Sequence, residues 1–470
     1  MSSLASQELA ARSMEQRSSF EGTGLADPAS LPHGTDGTAL YTSLRRVCRT
    51  GLARSVAWSV IGSGFSQGGS FLSSVILARV LGREFFGEFA LIQNTVAAVA
   101  SMASLGLGLA ATKYVSEYRA NQPEKIGKLL GFSSVLVLLA ALCFSIALGV
   151  FAPKLAVESN HSGITTGLRL STPYVFFVTL TGYQLGVLAG FEAFRIIAQV
   201  GIICGLASPI LSWWGAARFG IQGAVVSQCA AAFLLWFVYE IAVRWKCRTC
   251  GIKMEFRGVW GERSILTRVS IPAAACGTVC SLAIWGSNTL LVKASGYREL
   301  ALFTAIGNLR SAVMFLPGLI FRVAAPRLNY LFAAGDLPAY RRTFWGAAGV
   351  NTAMAVVGAF LAFLLGHQFL RLFGREFVGS NWLLRLFLIS VVVEIAVNNL
   401  SQTVFASTRY WWNLAVMCLW TAALLSTSAV ATPRFGAAGL AVANLAAWLV
   451  AAGFHMNEAR KQTRIKGIYD

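Results

Sequence analysis

The stretch RFGIQGAV occupies residues 218–225, and almost the same string, RFGAAGLAV, returns at residues 434–442. A phrase that recurs 216 positions later in a chain of 470 residues points to a chain built twice. Working outward, ILARVLG at 76–82 resembles LLVKASG at 290–296, an offset of 214. At that offset Phe89, Ile92, Asn94 and Arg195 match Phe303, Ile306, Asn308 and Arg409. At offset 216, LRL at 168–170 matches LRL at 384–386. Each match is weak by itself; in order and at a nearly constant offset they indicate one half followed by a second.

Composition says what each half is made of. The chain is 56% apolar, 13% charged and has a mean hydropathy of +0.62, against about 25% charged in soluble domains. The run VLVLLAALCFSIALGVFA at 135–152 carries no charge, and a bilayer core takes roughly 20 apolar residues per helix. The fold class expected is an all-α polytopic membrane protein. The ~10-residue alternating strands of an outer-membrane barrel are missing. Twelve spans are expected, at about 56–81, 86–111, 129–152, 168–190, 196–216, 220–243, 269–292, 299–321, 344–370, 382–404, 411–431 and 436–456. Six is even, so two six-helix lobes enter the membrane in the same sense, a parallel repeat about an axis along the membrane normal.

The net charge of +19 invites a nucleic-acid reading, which the positions of the charges remove. With the N-terminus inside, 27 of the 39 Lys and Arg fall on cytoplasmic segments and nine on the opposite face. That bias places both termini in the cytoplasm, and anionic leaflet lipids are the expected partners of the basic loops near 112–128, 244–268 and 322–343. The expected layout is a disordered cytoplasmic tail at 1–54, an N-terminal lobe at 55–245, a basic linker at 246–268, a C-terminal lobe at 269–457 and a short tail at 458–470. Residues 1 to about 50 lack the apolar core of a signal peptide. Cys247 and Cys250 form a lone CxxC; without a second pair no zinc site is indicated, and no metal or cofactor is expected. No GxxxxGK[ST] phosphate loop is present.

In RFGxxG the Arg sits at the outer interface and the glycines allow a tight turn and close helix approach. In ARVLGREFFG (78–87) the charges flank a short outer turn. From here the chain resembles a known family. SVAWSVIGSGFSQGGSFLSSVILARVLGREFFGEFALIQNTVAAVASMASLGLGLAATKYVSEYR (55–119) is similar to the first two helices of polysaccharide-export flippases of the O-antigen (Wzx) type. These belong to the multidrug/oligosaccharidyl-lipid/polysaccharide (MOP) superfamily. The carriers are L-G-x-x-x-F-G, a glycine-rich second helix, and T-K-Y near the inner surface. The resemblance runs loosely over about 55–457. It implies two lobes in a V around a cationic cavity, as in the MATE branch of the superfamily. It also implies a cargo of polyprenyl-pyrophosphate-linked oligosaccharide, moved outward across the bacterial inner membrane, with a polymerase and chain-length proteins as further partners. No enzyme activity is expected.

Such a cargo needs Arg for the anion, because guanidinium stays charged and binds phosphate bidentately, and Asn, Gln, Ser and aromatics for the sugar. Charges at membrane depth normally face a cavity or a partner. Arg310 lies mid-span and its repeat partner is Val96, so scaffold symmetry does not require it. It is the first candidate for the pyrophosphate, and a structural ion pair with Glu394 is the competing reading. Asn308, Asn94, Gln67 and Asn398 are candidates for the sugar or for packing. Glu394, followed by Asn398 and Gln402 at i+4 and i+8, is a candidate for proton or ion coupling. Arg169 and Arg385 repeat and lie near outer helix ends, where snorkelling to the interface competes with an exit-side anion site. Helix one carries a polar stripe from Ser59 to Ser73. Glu158 and His161, on the longest outer segment, leave little room for enzyme chemistry, and His367 has no visible metal partner. A multidrug antiporter is the nearest rival reading and typically needs acids in helices one or seven; 56–81 and 269–292 contain none. A lipid II flippase usually has fourteen helices.

Overall fold

Long apolar runs in a bilayer become helices because every backbone N–H and C=O must find an internal partner there. The computed structural model describes residues 51–121, 123–157, 163–252, 270–333, 337–377, 381–406 and 410–465, and residues 1–50 of the tail expected at 1–54 lie outside them. The helices are α1 (Gly51–Ala103), α2 (Leu107–Asn121), α3 (Pro123–Val157), α4 (Gly163–Leu170), α5 (Thr172–Gly190) and α6 (Phe194–Thr249). The second half holds α7 (Ile271–Ser295), α8 (Tyr297–Ala333), α9 (Leu337–Phe373), α10 (Asn381–Ala406) and α11 (Tyr410–Ile465). No strand occurs among the described residues. Among the described residues, seven helices are long and apolar enough to cross a membrane, eight if the bent pair α1–α2 is one span.

Helices α6 and α11 have 56 residues each. At 1.5 Å per residue either would extend ~84 Å if straight, against a hydrocarbon core of about 30 Å. Each is two legs folded at a glycine. Gly220 has φ 58° and ψ −138°, and Gly436 has φ 55° and ψ −133°. These are the first glycines of the two RFGxxG strings. Only glycine adopts that backbone region readily. The second glycines have the other job. A Cβ on Gly223 would run into the Gly215 carbonyl, and one on Gly439 into the Ala431 carbonyl, so both hairpins need a bare backbone where their legs meet. Gly82, inside α1, has φ 76° and ψ 171°; its repeat partner Gly296, between α7 and α8, has φ 84° and ψ 176°. The repeat read from letters is thus also a repeat of backbone dihedrals.

Each expected span falls on a helix or on one leg of a broken helix, with two refinements. The second span breaks at 104–106, where Leu105 and Gly106 have positive φ, and α2 leaves at 46°. The fourth breaks at Ser171, whose hydroxyl donates to the Leu168 carbonyl at 2.8 Å. Pro173 then begins α5, because proline lacks an N–H and restricts the residue before it. The basic segments read as loops are largely helical where described. α2 runs to Asn121, α6 to Thr249 and α8 to Ala333. Lys, Arg and Glu are good helix formers, so the helices continue past the apolar runs.

The packing differs between the two ends of the bundle. Around the turns at Gly82, Gly220, Gly296 and Gly436 a single apolar core joins both halves. Leu77, Ile92, Leu168 and Val225 of the first half share it with Leu300, Phe387 and Leu440 of the second. Toward the end that holds the start of α1 and the tail of α11, the core divides. One cluster gathers α2, α3, α5 and α6 around Val115, Leu130 and Val187. Another gathers α7, α10 and α11 around Val397, Trp420 and Trp448. The halves still touch at this end: a Cβ on Gly106 would run into the Ser270 carbonyl at the start of α7, so the apolar cores are separate while the backbones meet.

Candidate functional site

The seam between the halves is built by α1 against α7 and α8. Trp285 Nε1 donates to Thr95 Oγ1 at 3.0 Å, and Asn308 Nδ2 donates to Ser74 Oγ at 3.1 Å. Both bonds cross the seam. Asn308 also donates to the Thr304 carbonyl at 3.0 Å. The α1 polar stripe divides: Ser73 is buried against Ser208 of α6, while Ser66, Gln67 and Ser70 are exposed.

Arg310 lies two residues beyond Asn308, roughly 200° around the helix, which carries it away from α1 and toward α10. Its Nε donates to Glu394 at 2.7 Å and its NH2 pairs with the other carboxylate oxygen. This fork-on-fork pair is the ion pair that competed with the pyrophosphate reading. It is lopsided: the Glu394 side chain is 4% exposed and that of Arg310 is 39% exposed. Two facing charges at membrane depth offset part of the cost of each, and part of the Arg310 side chain stays exposed.

Asn94 sits half-buried beside Thr95, and Asn398 is half-buried one turn along α10 from Glu394. The side chain of Gln402 and residues 158–162 lie outside the described structure. Arg169 and Arg385 stand apart from the seam. Arg169 is exposed on a surface cavity of about 680 Å³ lined by Leu142, Ile146, Val150 and Phe177. Arg385 is exposed and lies over the Phe363 ring at 5.3 Å. Both sit among outward-facing apolar side chains of their own half. His367 is exposed, and among the described residues no group of three or more His, Cys, Asp and Glu is arranged to hold a metal. Cys247 is buried and Cys250 exposed.

A second constellation, at the turn end, was read in the sequence as charges flanking a short outer turn and not as a site. Arg83 donates to the carbonyls of Arg298 at 2.9 Å and Glu376 at 2.8 Å, and pairs with Glu299 at 3.2 Å. Arg298 pairs with Glu84 at 3.3 Å. Glu299 also accepts from the N–H of Ala437 at 3.2 Å, the first residue after the Gly436 break, where the positive end of a helix dipole favours an acid. Arg79 donates to the carbonyls of Leu372 at 2.6 Å and Arg371 at 3.4 Å. Beneath lies an aromatic cluster across the seam, with Phe71 on Phe369 at 5.0 Å and Phe86 on Phe377 at 6.2 Å. The only sequence signal was that these arginines lie on the face the charge bias otherwise leaves poor in cations.

Comparison with known proteins places the fold. The chain matches the inward-facing conformation of a multidrug resistance MATE family transporter of the MOP superfamily, at 14% identity, 87% of this chain against 99% of that one and a TM-score of 0.71. It matches the outward-facing conformation of such a transporter at 14% identity, 89% against 96%, with a TM-score of 0.66. A MOP superfamily transporter from Pyrococcus furiosus, described as having a binding pocket of reverse polarity, matches at 14% identity, 87% against 95%, with a TM-score of 0.68. The fold is therefore that of the MOP superfamily. The family described as "Polysaccharide biosynthesis protein" matches residues 52–332, and the chain belongs to that family. No curated protein matches.

Proposed function

We infer that this protein is a flippase which carries polyprenyl-pyrophosphate-linked oligosaccharide from the cytoplasmic to the periplasmic leaflet of a bacterial inner membrane. It serves surface-polysaccharide synthesis, works beside a polymerase and chain-length proteins, and is not itself an enzyme. Family membership supports the pathway, and the likeness in fold to inward- and outward-facing transporters supports alternating access. The observation that carries the reading is the Arg310–Glu394 pair at membrane depth, whose Arg310 side chain stays 39% exposed. A pyrophosphate, like Glu394, offers two oxygens to one guanidinium fork, with more negative charge. It competes for the fork, and Glu394 takes Arg310 back when the cargo leaves. Proton uptake by Glu394 would free the same arginine. An interior near −100 mV favours outward movement of an anion by ~2.3 kcal/mol per charge, so no ATP site is required. Asn308, Asn94, Gln67 and Asn398 line the sugar path in this reading.

The test is Arg310→Met in a strain that lacks the wild-type gene, at matched membrane abundance. Lipid-linked repeat units should accumulate on the cytoplasmic side, and surface polysaccharide should fall at least about tenfold, the scale of one lost charge-assisted contact of ~1.5–3 kcal/mol. Normal export would remove Arg310 from the mechanism. Because the single variant leaves Glu394 buried and unpaired, Arg310→Met/Glu394→Gln supplies the folded control and should be equally defective. Ethidium efflux with no change in polysaccharide would favour the multidrug antiporter.

A further inference from the structure

The turn end holds a cavity of about 880 Å³ between the two halves. Arg79 and Arg83 line it from the first half, and Arg371 and Arg375 from the second, with one acid, Glu376, and an apolar wall that includes Phe373. Four guanidinium-bearing residues and one carboxylate line it, and Arg83 also pairs with Glu299 just outside the lining, which leaves a net local excess of positive charge. Such an excess in one concave place raises the local concentration of anions. The arginines are not all spent on protein partners. Arg79 and Arg83 are clamped by backbone carbonyls of the opposite half, which fixes where their planes lie. Arg371 and Arg375 are exposed, and among the described residues neither has an acidic partner. Clamped and free guanidinium groups together make a preorganised anion site, and arginine suits phosphate in particular because its fork takes two oxygens at once. The volume lies within the range of small-molecule pockets, about 300–1,000 Å³.

We propose that this cavity is a binding site for a diphosphate group, distinct from the Arg310 region and assembled only while the turn end is closed. Its two pairs of arginines come from different halves, so parting the halves dismantles it. An anion seated there therefore stabilises the closed turn end, because a ligand shifts an equilibrium toward the state it binds better. Under the flippase reading, on which this assignment of the ligand rests, the site faces the product leaflet and would take the diphosphate of a delivered lipid. Free pyrophosphate in the surrounding solution offers the same chemistry.

The experiment uses the full chain in detergent micelles and inorganic pyrophosphate as the probe, followed by calorimetry. The wild type should bind saturably. Arg371→Gln/Arg375→Gln should bind at least tenfold more weakly, and the same loss should appear when the pair is changed in an Arg310→Gln background, which removes the other arginine assigned to pyrophosphate. Equal binding by the wild type and the double variant overturns the proposal. If the double variant loses its monodisperse profile, Arg371→Lys/Arg375→Lys keeps the charge but not the fork and should still weaken binding several-fold; no weakening overturns the proposal. Competition then separates the sources. Displacement of pyrophosphate by vesicles carrying a polyprenyl diphosphate, and not by phosphatidylglycerol vesicles, supports a membrane-borne ligand. Displacement by neither supports a soluble one. Absence of saturable binding of both the free and the lipid-borne diphosphate overturns the site. Because the assay involves no translocation, that failure leaves the flippase reading to be judged by repeat-unit accumulation.

Discussion

At the turn end of this bundle the two halves share one core, and ion pairs cross between them in both directions: Arg83 to Glu299, and Arg298 to Glu84. At the end holding the start of α1 and the tail of α11 each half keeps its own core. The contrast bears on how such a molecule moves. A protein that alternates access must part whatever is closed, so the closing contacts have to be specific yet weak enough to reverse. The exposed Arg298–Glu84 pair suits that purpose at about 0–1 kcal/mol; Arg83–Glu299 is part-buried. The aromatic cluster beneath adds about 0.5–1.5 kcal/mol per ring pair beyond burial.

The largest expected effect comes from blocking closure. Gly87 lets α1 approach the Tyr297 backbone so closely that a Cβ would run into that carbonyl. Gly87→Val should hold the turn end apart. Spin labels at the exposed positions Phe85 and Leu372, in a cysteine-free background, should show a longer distance population, and transport should fall with it. An unchanged distance distribution would break the claim that this end closes by backbone contact.

A smaller effect tests the equivalence of the halves. Gly220→Ala and Gly436→Ala each force alanine into a region nearly reserved for glycine, at about 1–3 kcal/mol. Thermal unfolding in micelles should show both losses, with Gly436→Ala the worse. A Cβ there would lie 3.1 Å from a Glu299 carboxylate oxygen, whereas nothing lies within 4 Å of one at Gly220. Destabilisation of only one variant would end the structural repeat as an explanation of RFGxxG. The smallest effect is electrostatic: Glu84→Arg should lower the unfolding midpoint by no more than the equivalent of about 1 kcal/mol, and Glu84→Arg/Arg298→Glu should restore it. A double variant no better than the single would mean that this pair does not help hold the turn end.

The elements were legible to different depths. The spans and the turn glycines could be read because they depend on local properties: length, apolar composition and a backbone region that one residue type tolerates. The breaks at 104–106 and at Ser171 were missed because the apolar pattern runs through them; SLGLG and STP carried the signal in their turn residues. At the site, Arg310 and Glu394 were both recognised as costly charges at membrane depth, and their pairing stood only as one of two readings. The turn-end arginines were visible as charges on the poorer face and were set aside as scaffold, since nothing local says that residues 79 and 371 share a cavity.

Read alone, the sequence established an all-helical membrane chain, a doubled architecture and the places where the chain must reverse, because hydropathy, repeat spacing and glycine's conformational freedom act over a few residues. The fold alone decided that Arg310 meets Glu394 across 84 residues and that Arg79 meets the backbone of residues 292 and 293 positions away. It also decided that one apolar core spans both halves at the turn end, while each half keeps its own core at the other. Those outcomes depend on how each helix is rotated and how the halves lean together. They are set by contacts between distant segments, which no window along the chain contains.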